Sequence, residues 1–152
     1  MNIIDTKNPK IKFGEGDIFD VEAWGCDGIV AVINKGVPEN KQNPHRIPYD
    51  YMSFMKKHPE FPCKTYDHSR PHCPILKKAD VRPKINKMLD YMLAKHCKRI
   101  GVFGSQISDG TFVEGARETY EAVKEWVEEH GDAIDSITLV DLNGDYNQFL
   151  EI

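Results

Sequence analysis

The sequence predicts an α/β fold, a three-layer α/β/α sandwich around a mixed central sheet. Three observations predict it. Gly28–Ile33 is a continuous apolar run of six residues, and residues 100–103 form a second, shorter one; such runs suit central strands covered on both faces. Residues 81–96 and 113–130 carry apolar side chains at spacings of three and four, the period of a helix with one buried face. Strands alternate with helices along the chain, and right-handed crossovers then place helices on both faces of the sheet.

Each element has its own local reason. Lys10-Ile11-Lys12-Phe13 alternates polar and apolar and is closed by Gly14 and Gly16, which predicts a short strand. Gly28–Ile33 follows as a central strand. Residues 38–48 are polar with three prolines and read as loop. Tyr51, Met52, Phe54 and Met55 predict a short helix over 49–58. Residues 59–74 hold four prolines, and a minor strand is expected at 64–66 or 75–76. Ile85, Met88, Leu89, Met92 and Leu93 define the helix at 81–96, with Pro83 expected in its first turn, where the missing N–H is tolerated. In the helix at 113–130, Ala116, Tyr120, Val123, Trp126 and Val127 share a face, and Gly131 stops it. Residues 137–140 predict the last strand. Nothing in residues 143–152 places the tail.

The chain has 152 residues, which predicts one domain over 1–152 with an irregular basic insert at about 38–80. Seven prolines between Pro38 and Pro74 disfavour long helices and central strands there, and loops of that length are commonly lids or partner surfaces. No stretch approaches ~18 consecutive apolar residues, so no membrane span is expected. The first residues lack the apolar core of a signal peptide. Cys26, Cys63, Cys73 and Cys97 form no C-x-x-C pair, so reduced thiols in a cytoplasmic protein are expected. Cys63, His68, His72 and Cys73 fall close together, but C-x4-H-x3-H-C is not a usual zinc spacing and adjacent His72-Cys73 chelate poorly. No metal and no cofactor are expected. A P-loop lysine motif and a G-x-G-x-x-G turn are absent, which argues against ATPases and dinucleotide-dependent dehydrogenases.

The net charge of −4 hides a strong segregation. Residues 41–99 hold 14 Lys/Arg against 5 Asp/Glu, and five of the six histidines. Basic surface attracts phosphates and polyanions, although such an excursion can also merely balance acidic helices. Lys41, Arg46, Lys56, Lys57 and Arg70 are the cations expected to face an anionic ligand or partner.

The two apolar strands end in polar or turn-forming residues, and ligands of open α/β sheets sit beyond the carboxyl ends of such strands. That pattern points to a nucleotide-like ligand. Gly16-Asp17-Ile18-Phe19, then Asp27-Gly28-Ile29-Val30-Ala31-Val32-Ile33-Asn34, resembles the start of a macro domain, in which a Gly-Asp-Ile or Gly-Asp-Leu step precedes Asp-Ala-Ile-Val and an Asn. Residues 99–103, 105–112, 114–130 and 136–140 resemble that family's following strand, phosphate loop, helix and last strand. The resemblance covers about residues 10–36 and 80–142.

The resemblance implies a macro-domain-like fold that binds ADP-ribose or a related adenine nucleotide, free or on an ADP-ribosylated macromolecule. It also carries ADP-ribosyl hydrolase or phosphatase activity as an extension. Asp17, with Ile18 beside it, would accept a hydrogen bond from the adenine amino group, or Asp17 caps a local turn. Asn34 would bond a ribose hydroxyl, or is a loop asparagine. Gly104, Ser105, Ser108, Asp109 and Gly110 precede a helix, where backbone N–H groups favour an anion; the alternative is an ordinary strand-to-helix turn. Phe112 would pack on a ribose or base, or belongs to the core. The chain departs from the family in Asn34-Lys35-Gly36-Val37-Pro38-Glu39-Asn40, which holds one glycine where the family has a run of them. The acidic and histidine residues of hydrolytic members have no clear match there. The other reading is a non-catalytic protein or nucleic-acid interaction module that uses the basic 41–99 segment.

Overall fold

The computed structural model describes residues 2–16, 25–33, 56–57, 59–60, 62–67, 78–103, 112–141 and 145–150. Strands β1 (Asn2–Asp5), β2 (Ile11–Glu15), β3 (Gly28–Ile33), β4 (Cys63–Asp67), β5 (Arg99–Phe103) and β6 (Ser136–Asp141) form one sheet. Their spatial order is β1-β2-β6-β5-β3-β4. Only β1 is antiparallel to its neighbour, with Asn2 opposite Glu15, so the sheet is mixed. As expected, β3 and β5 are adjacent central strands, with Gly28 opposite Ile100 and Ala31 opposite Phe103. Ile29, Val30, Ile100 and Val102 are fully buried, which is why these segments read as unbroken apolar runs.

The β1–β2 hairpin is held by its turn chemistry. The Thr6 hydroxyl donates to the Ile11 carbonyl at 2.7 Å and accepts the Asn8 N–H at 3.2 Å, and the Asn8 side-chain oxygen accepts the Lys10 N–H at 2.9 Å. β1 has no counterpart in the sequence reading. Its four residues are too few to show a period, and Ile3 is 45% exposed at the sheet edge. At the other edge, β4 contains residues 64–66, one of the two places where a minor strand was expected. Pro62 just before it accepts the Ile29 N–H at 3.1 Å, so the proline contributes its carbonyl where it has no N–H. The segment 38–80 therefore adds regular structure: it supplies β4 and the first turn of the next helix. Residues 75–76, and all of 49–58 except the helical Lys56 and Lys57, lie outside the described residues.

Helices α1 (Lys78–Ala94) and α2 (Phe112–His130) pack side by side. The connections β4–α1–β5 and β5–α2–β6 step the same way along the sheet, so right-handed crossovers put both on one face. Ile85, Met88, Leu89 and Met92 from α1, with Tyr120, Val123, Trp126 and Val127 from α2, cover that face. The sequence reading started α1 three residues late. Pro83 is the sixth residue of the helix and not in its first turn, so the Ala79 carbonyl lacks its usual helical donor. The helix also ends before His96. The His96 N–H bonds the Leu93 carbonyl at 3.0 Å and the Cys97 N–H bonds the Met92 carbonyl at 3.1 Å, with His96 itself at φ 64°. This is the glycine-type helix stop with a histidine in the left-handed position.

The tail folds back. A 3-10 helix, Asp145–Phe149, buries Tyr146 completely against Phe13, with ring centroids 5.9 Å apart. Phe149 stacks on Tyr120 at 5.6 Å, and Tyr120 meets Phe13 edge-on at 5.3 Å. No helix among the described residues is long and apolar enough to cross a membrane.

Candidate functional site

Five of the six strands are parallel, so their carboxyl ends share one edge of the sheet. Glu15 ends β2 opposite Asp141 of β6, Phe103 ends β5 opposite Val140, and Ile33 ends β3 opposite Asp67 of β4. Asp17 follows β2 by two residues, Asn34 directly follows β3, and Gly104 directly follows β5. The described strands β2, β3 and β5 thus end at one edge, just before the segments in which Asp17, Asn34 and Gly104 stand. Asp17, Ile18, Asn34, Gly104, Ser105, Ser108, Asp109 and Gly110 themselves lie outside the described residues. Phe112 is the first residue of α2. Of the four residues weighed as zinc ligands, Cys63 opens β4, and His68, His72 and Cys73 lie outside the described residues. Lys56 and Lys57 are exposed; Lys41, Arg46 and Arg70 lie outside the described residues.

Two backbone features distinguish this edge, at which the strands themselves end in Glu15, Asp67 and Asp141. The chain leaves β2 through Gly16 at φ 151°, a conformation that side chains other than hydrogen rarely adopt, immediately before Asp17. α1 and α2 follow parallel strands, so their amino ends, with the positive ends of their dipoles, lie at this edge. The strand order also reverses here. From β3 the chain continues to β4 on one side, and from β5 it continues to β6 on the other. The boundary between β3 and β5 is therefore a switch point, the place at which open α/β sheets take ligands.

The opposite edge is built for stability. The Asp27 carboxylate accepts the backbone N–H groups of Lys98 and Arg99 at 2.8 and 2.9 Å, and its own N–H donates to the Arg99 carbonyl at 2.8 Å. Asp27 thus clamps the start of β3 to the start of β5. The sequence reading quoted this aspartate in a motif without giving it a task, and only the geometry shows one. Arg99 pairs with Asp135 at 3.6 Å, and the Lys98 ammonium donates to the Ala133 carbonyl at 2.8 Å. Burial, aided by the Asp27 charge, pushes the Cys26 thiol up to about 12 and the Cys97 thiol to about 11. Thiols held that high are not nucleophiles at neutral pH. A cleft of about 250 Å³ lined by Thr6, Lys7, Asn8, Tyr120, Lys124 and Phe149 sits by the β1–β2 turn, at the amino end of β2 and away from the switch point. No group of three or more potential metal ligands occurs among the described residues.

No family model matches the sequence, and no curated protein matches it. Solved structures do. The Trypanosoma brucei macrodomain, crystallised with ADP, superposes with a TM-score of 0.62 at 17% identity, over 93% of this chain and 67% of that one. The Trypanosoma brucei macrodomain crystallised with ADP-ribose gives 0.60 at 14% identity, over 97% and 72%. The macro domain of ganglioside induced differentiation associated protein 2 gives 0.61 at 14% identity, over 93% and 83%. At these identities the likeness lies in the path of the backbone. With its mixed sheet and its switch point between β3 and β5, and on the likeness to these solved structures, this chain has the macrodomain fold.

Proposed function

We propose that the protein binds ADP-ribose, or a related adenine nucleotide, at the carboxyl edge of the sheet. The observation that carries the reading is the reversal of strand order between β3 and β5, beside the amino ends of α1 and α2. It is supported by the fold shared with Trypanosoma brucei macrodomain structures that hold ADP and ADP-ribose. The edge also has the right length. From β2 to β3 is three strand spacings, on the order of 14 Å. That span suits two sugars joined by a diphosphate better than a lone phosphate.

In this reading the Asp17 carboxylate accepts a hydrogen bond from the adenine amino group, and Asn34 bonds a ribose hydroxyl. The loop from Gly104 to Gly110 offers N–H groups to the diphosphate, assisted by the dipole of α2. The ligand arrives free or carried on an ADP-ribosylated macromolecule. Cleavage of an ADP-ribosyl bond or removal of a phosphate is an extension of the same reading. Cys26 and Cys97 are unsuited to it, because their raised thiols sit near the starts of β3 and β5. Among the described cations of the basic segment, Arg82 is tied to Glu118, Lys98 to a carbonyl and Arg99 to Asp135, while Lys56 and Lys57 are exposed.

Isothermal titration with ADP-ribose tests the proposal. Saturable binding is expected, and Asp17→Ala should weaken it by about 1–3 kcal/mol, the effect of removing one partner of a polar contact. Absence of binding by the folded wild-type protein would sink the reading. Incubation with an ADP-ribosylated protein, read by release of ADP-ribose, tests the extension.

A further inference from the structure

The cleft of about 250 Å³ beside the β1–β2 turn is walled by three separately anchored pieces of the chain. One wall is the turn itself, Thr6, Lys7 and Asn8, held by the Thr6 and Asn8 side chains through their bonds to the backbone of residues 8–11. The second is the middle of α2, which presents Tyr120 and Lys124. The third is Phe149 of the folded-back tail. Tyr120 is buried, edge-on to Phe13 at 5.3 Å and stacked on Phe149 at 5.6 Å. The walls are therefore set by the core before a ligand arrives, which lowers the ordering cost of binding. The lining is also of one sign. The described lining residues include two lysines and two aromatic rings, and no carboxylate. The Lys124 ammonium lies 5.0 Å from the centre of the Tyr120 ring, and the Arg117 guanidinium lies 5.9 Å from that of Phe149, a further cation beside the cleft. Other lysines of the neighbourhood have acceptors: Lys10 donates to the Ile134 carbonyl at 2.7 Å, and Lys12 pairs with Asp5 at 3.8 Å. Among the described residues, Lys7 and Lys124 have no ion-pair partner; Glu121 and Glu128, a turn to either side of Lys124, form none with it.

We propose that this cleft is a second binding site, for a small aromatic acid whose ring lies against Phe149 and Tyr120 and whose acid group meets the Lys7 and Lys124 ammonium groups. Size limits the ligand. Sites for drug-sized molecules hold about 300–1,000 Å³, so this cleft takes one ring with its acid group and not a dinucleotide. Charge sets its sign, because cations without a carboxylate among them favour an anion. An ammonium is a compact point charge without the fork of a guanidinium, so a carboxylate and a phosphomonoester both satisfy it. The site is independent of the ADP-ribose reading, since it lies at the amino end of β2, away from the switch point.

Amide NMR spectra of the full chain, titrated with benzoate, phenyl phosphate, inorganic phosphate and neutral benzyl alcohol, test the proposal. Benzoate, phenyl phosphate or both should shift the amides of Thr6, Lys7, Asn8 and Lys124 along one saturable curve; which of the two binds more tightly identifies the acid group. Phenyl phosphate should bind roughly tenfold more tightly than inorganic phosphate, from burial of part of its ring. Benzyl alcohol should leave these amides in place. Raising the salt from about 0.05 to about 0.5 M should weaken the anions, as expected of half-exposed charges. Lys7→Met and Lys124→Met keep most of each apolar stem and should each raise the Kd roughly threefold. Lys87→Met, an exposed position of α1, should match wild type. Phe149→Leu should weaken phenyl phosphate and leave inorganic phosphate unchanged; the two lysine variants carry the test if that protein folds poorly. The proposal is overturned if neither aromatic anion saturates these amides, if benzyl alcohol binds as tightly as benzoate, or if both lysine variants bind like wild type. Saturable shifts of the same amides by ADP-ribose would make this cleft the nucleotide site and overturn its assignment as a second one.

Discussion

Gly28→Ala tests the packing that sets the distance between β3 and α1. A methyl group at Gly28 would stand 2.7 Å from the Cys97 sulfur and 2.8 Å from the Met92 sulfur, with the Cys97 Cβ at 3.4 Å. Non-bonded heavy atoms prefer roughly 3.5–4.0 Å, so the sulfurs must retreat by about 0.7–1.3 Å. Met92 is fully buried and Cys97 is 3% exposed, so neither has solvent to retreat into. The Cys97 thiol also donates to the Asp27 carbonyl at 3.5 Å and touches the Met92 sulfur at 3.9 Å. Overpacking of this kind costs about 1–3 kcal/mol. Replacing glycine in a strand returns roughly 0.5–1 kcal/mol through the unfolded chain. The net expectation is a loss of about 1–2 kcal/mol, with a fall in melting temperature of about 2–8 °C for a chain of this size.

Urea unfolding reads this directly. The midpoint should fall while the slope with denaturant stays constant, the signature of changed stability with an unchanged denatured state. Cys97→Ala removes the nearer obstacle, so Gly28→Ala should cost less in that background. The cycle should show a favourable coupling of about 1 kcal/mol, as expected of residues in contact. A Gly28→Ala protein as stable as wild type, or strictly additive energies in the double variant, would refute the steric reasoning. The macro-domain resemblance places alanine where Gly28 stands. The sulfurs of Met92 and Cys97 give the physical reason for the difference, since they occupy the space an alanine methyl would take.

The sheet's centre was legible because its residues are buried on both faces and so carry an unbroken apolar signal; β3 and β5 lie where that signal put them. Helices α1 and α2 were legible for the matching reason, as single-faced elements with a period of three to four. What escaped depends on contacts distant in sequence or on weak local signals. β1 is short and half-exposed, and it exists because of its pairing with β2. The tail is anchored by Tyr146 meeting Phe13, an encounter more than a hundred residues apart that no local pattern announces. His96 in a left-handed conformation hid the end of α1, because glycine is the usual marker there and a histidine is not.

The candidate site divides in the same way. The strand ends that would carry it follow from the apolar runs, and their common edge follows from parallel pairing. Asp27 shows the limit of a motif. It sits in the segment that suggested a ligand, yet it works at the other edge, as a clamp on the backbone of β5. The residue type told of hydrogen bonding, and only the fold told to what. Arg82 and Glu118 were equally silent, since 36 positions separate them and each alone reads as a solvated charge.

Three further outcomes follow from the packing and the thiols. His96→Gly should raise stability by about 1 kcal/mol, because glycine enters the left-handed region without steric penalty; equal or lower stability on thermal melting would contradict the cap geometry. Tyr146→Ala should cost about 3–5 kcal/mol, as for other buried aromatic truncations, and a melting curve close to wild type would show that the tail is not part of the core. The thiols give a pH dependence with a definite sign. Cys26 and Cys97 are pushed up from an ordinary 9.0 to about 12 and about 11 by burial first and by the Asp27 charge second. Between pH 9 and those values the unfolded chain has lost protons that the folded chain keeps. Stability from these groups is therefore fully present below pH 9 and is lost as the pH rises toward 11 and 12. Chemical unfolding at pH 8, 9.5 and 10.5 should show the decline, and replacing both residues by alanine should flatten that part of the profile. In the same pH range the native protein should resist alkylation by iodoacetamide at both positions, while unfolded chains react readily. Cys26 is partly exposed, so rapid labelling of it in the native state at pH 9 would show that its thiol is not held neutral, and the assignment of that edge as inert scaffold would fall with it.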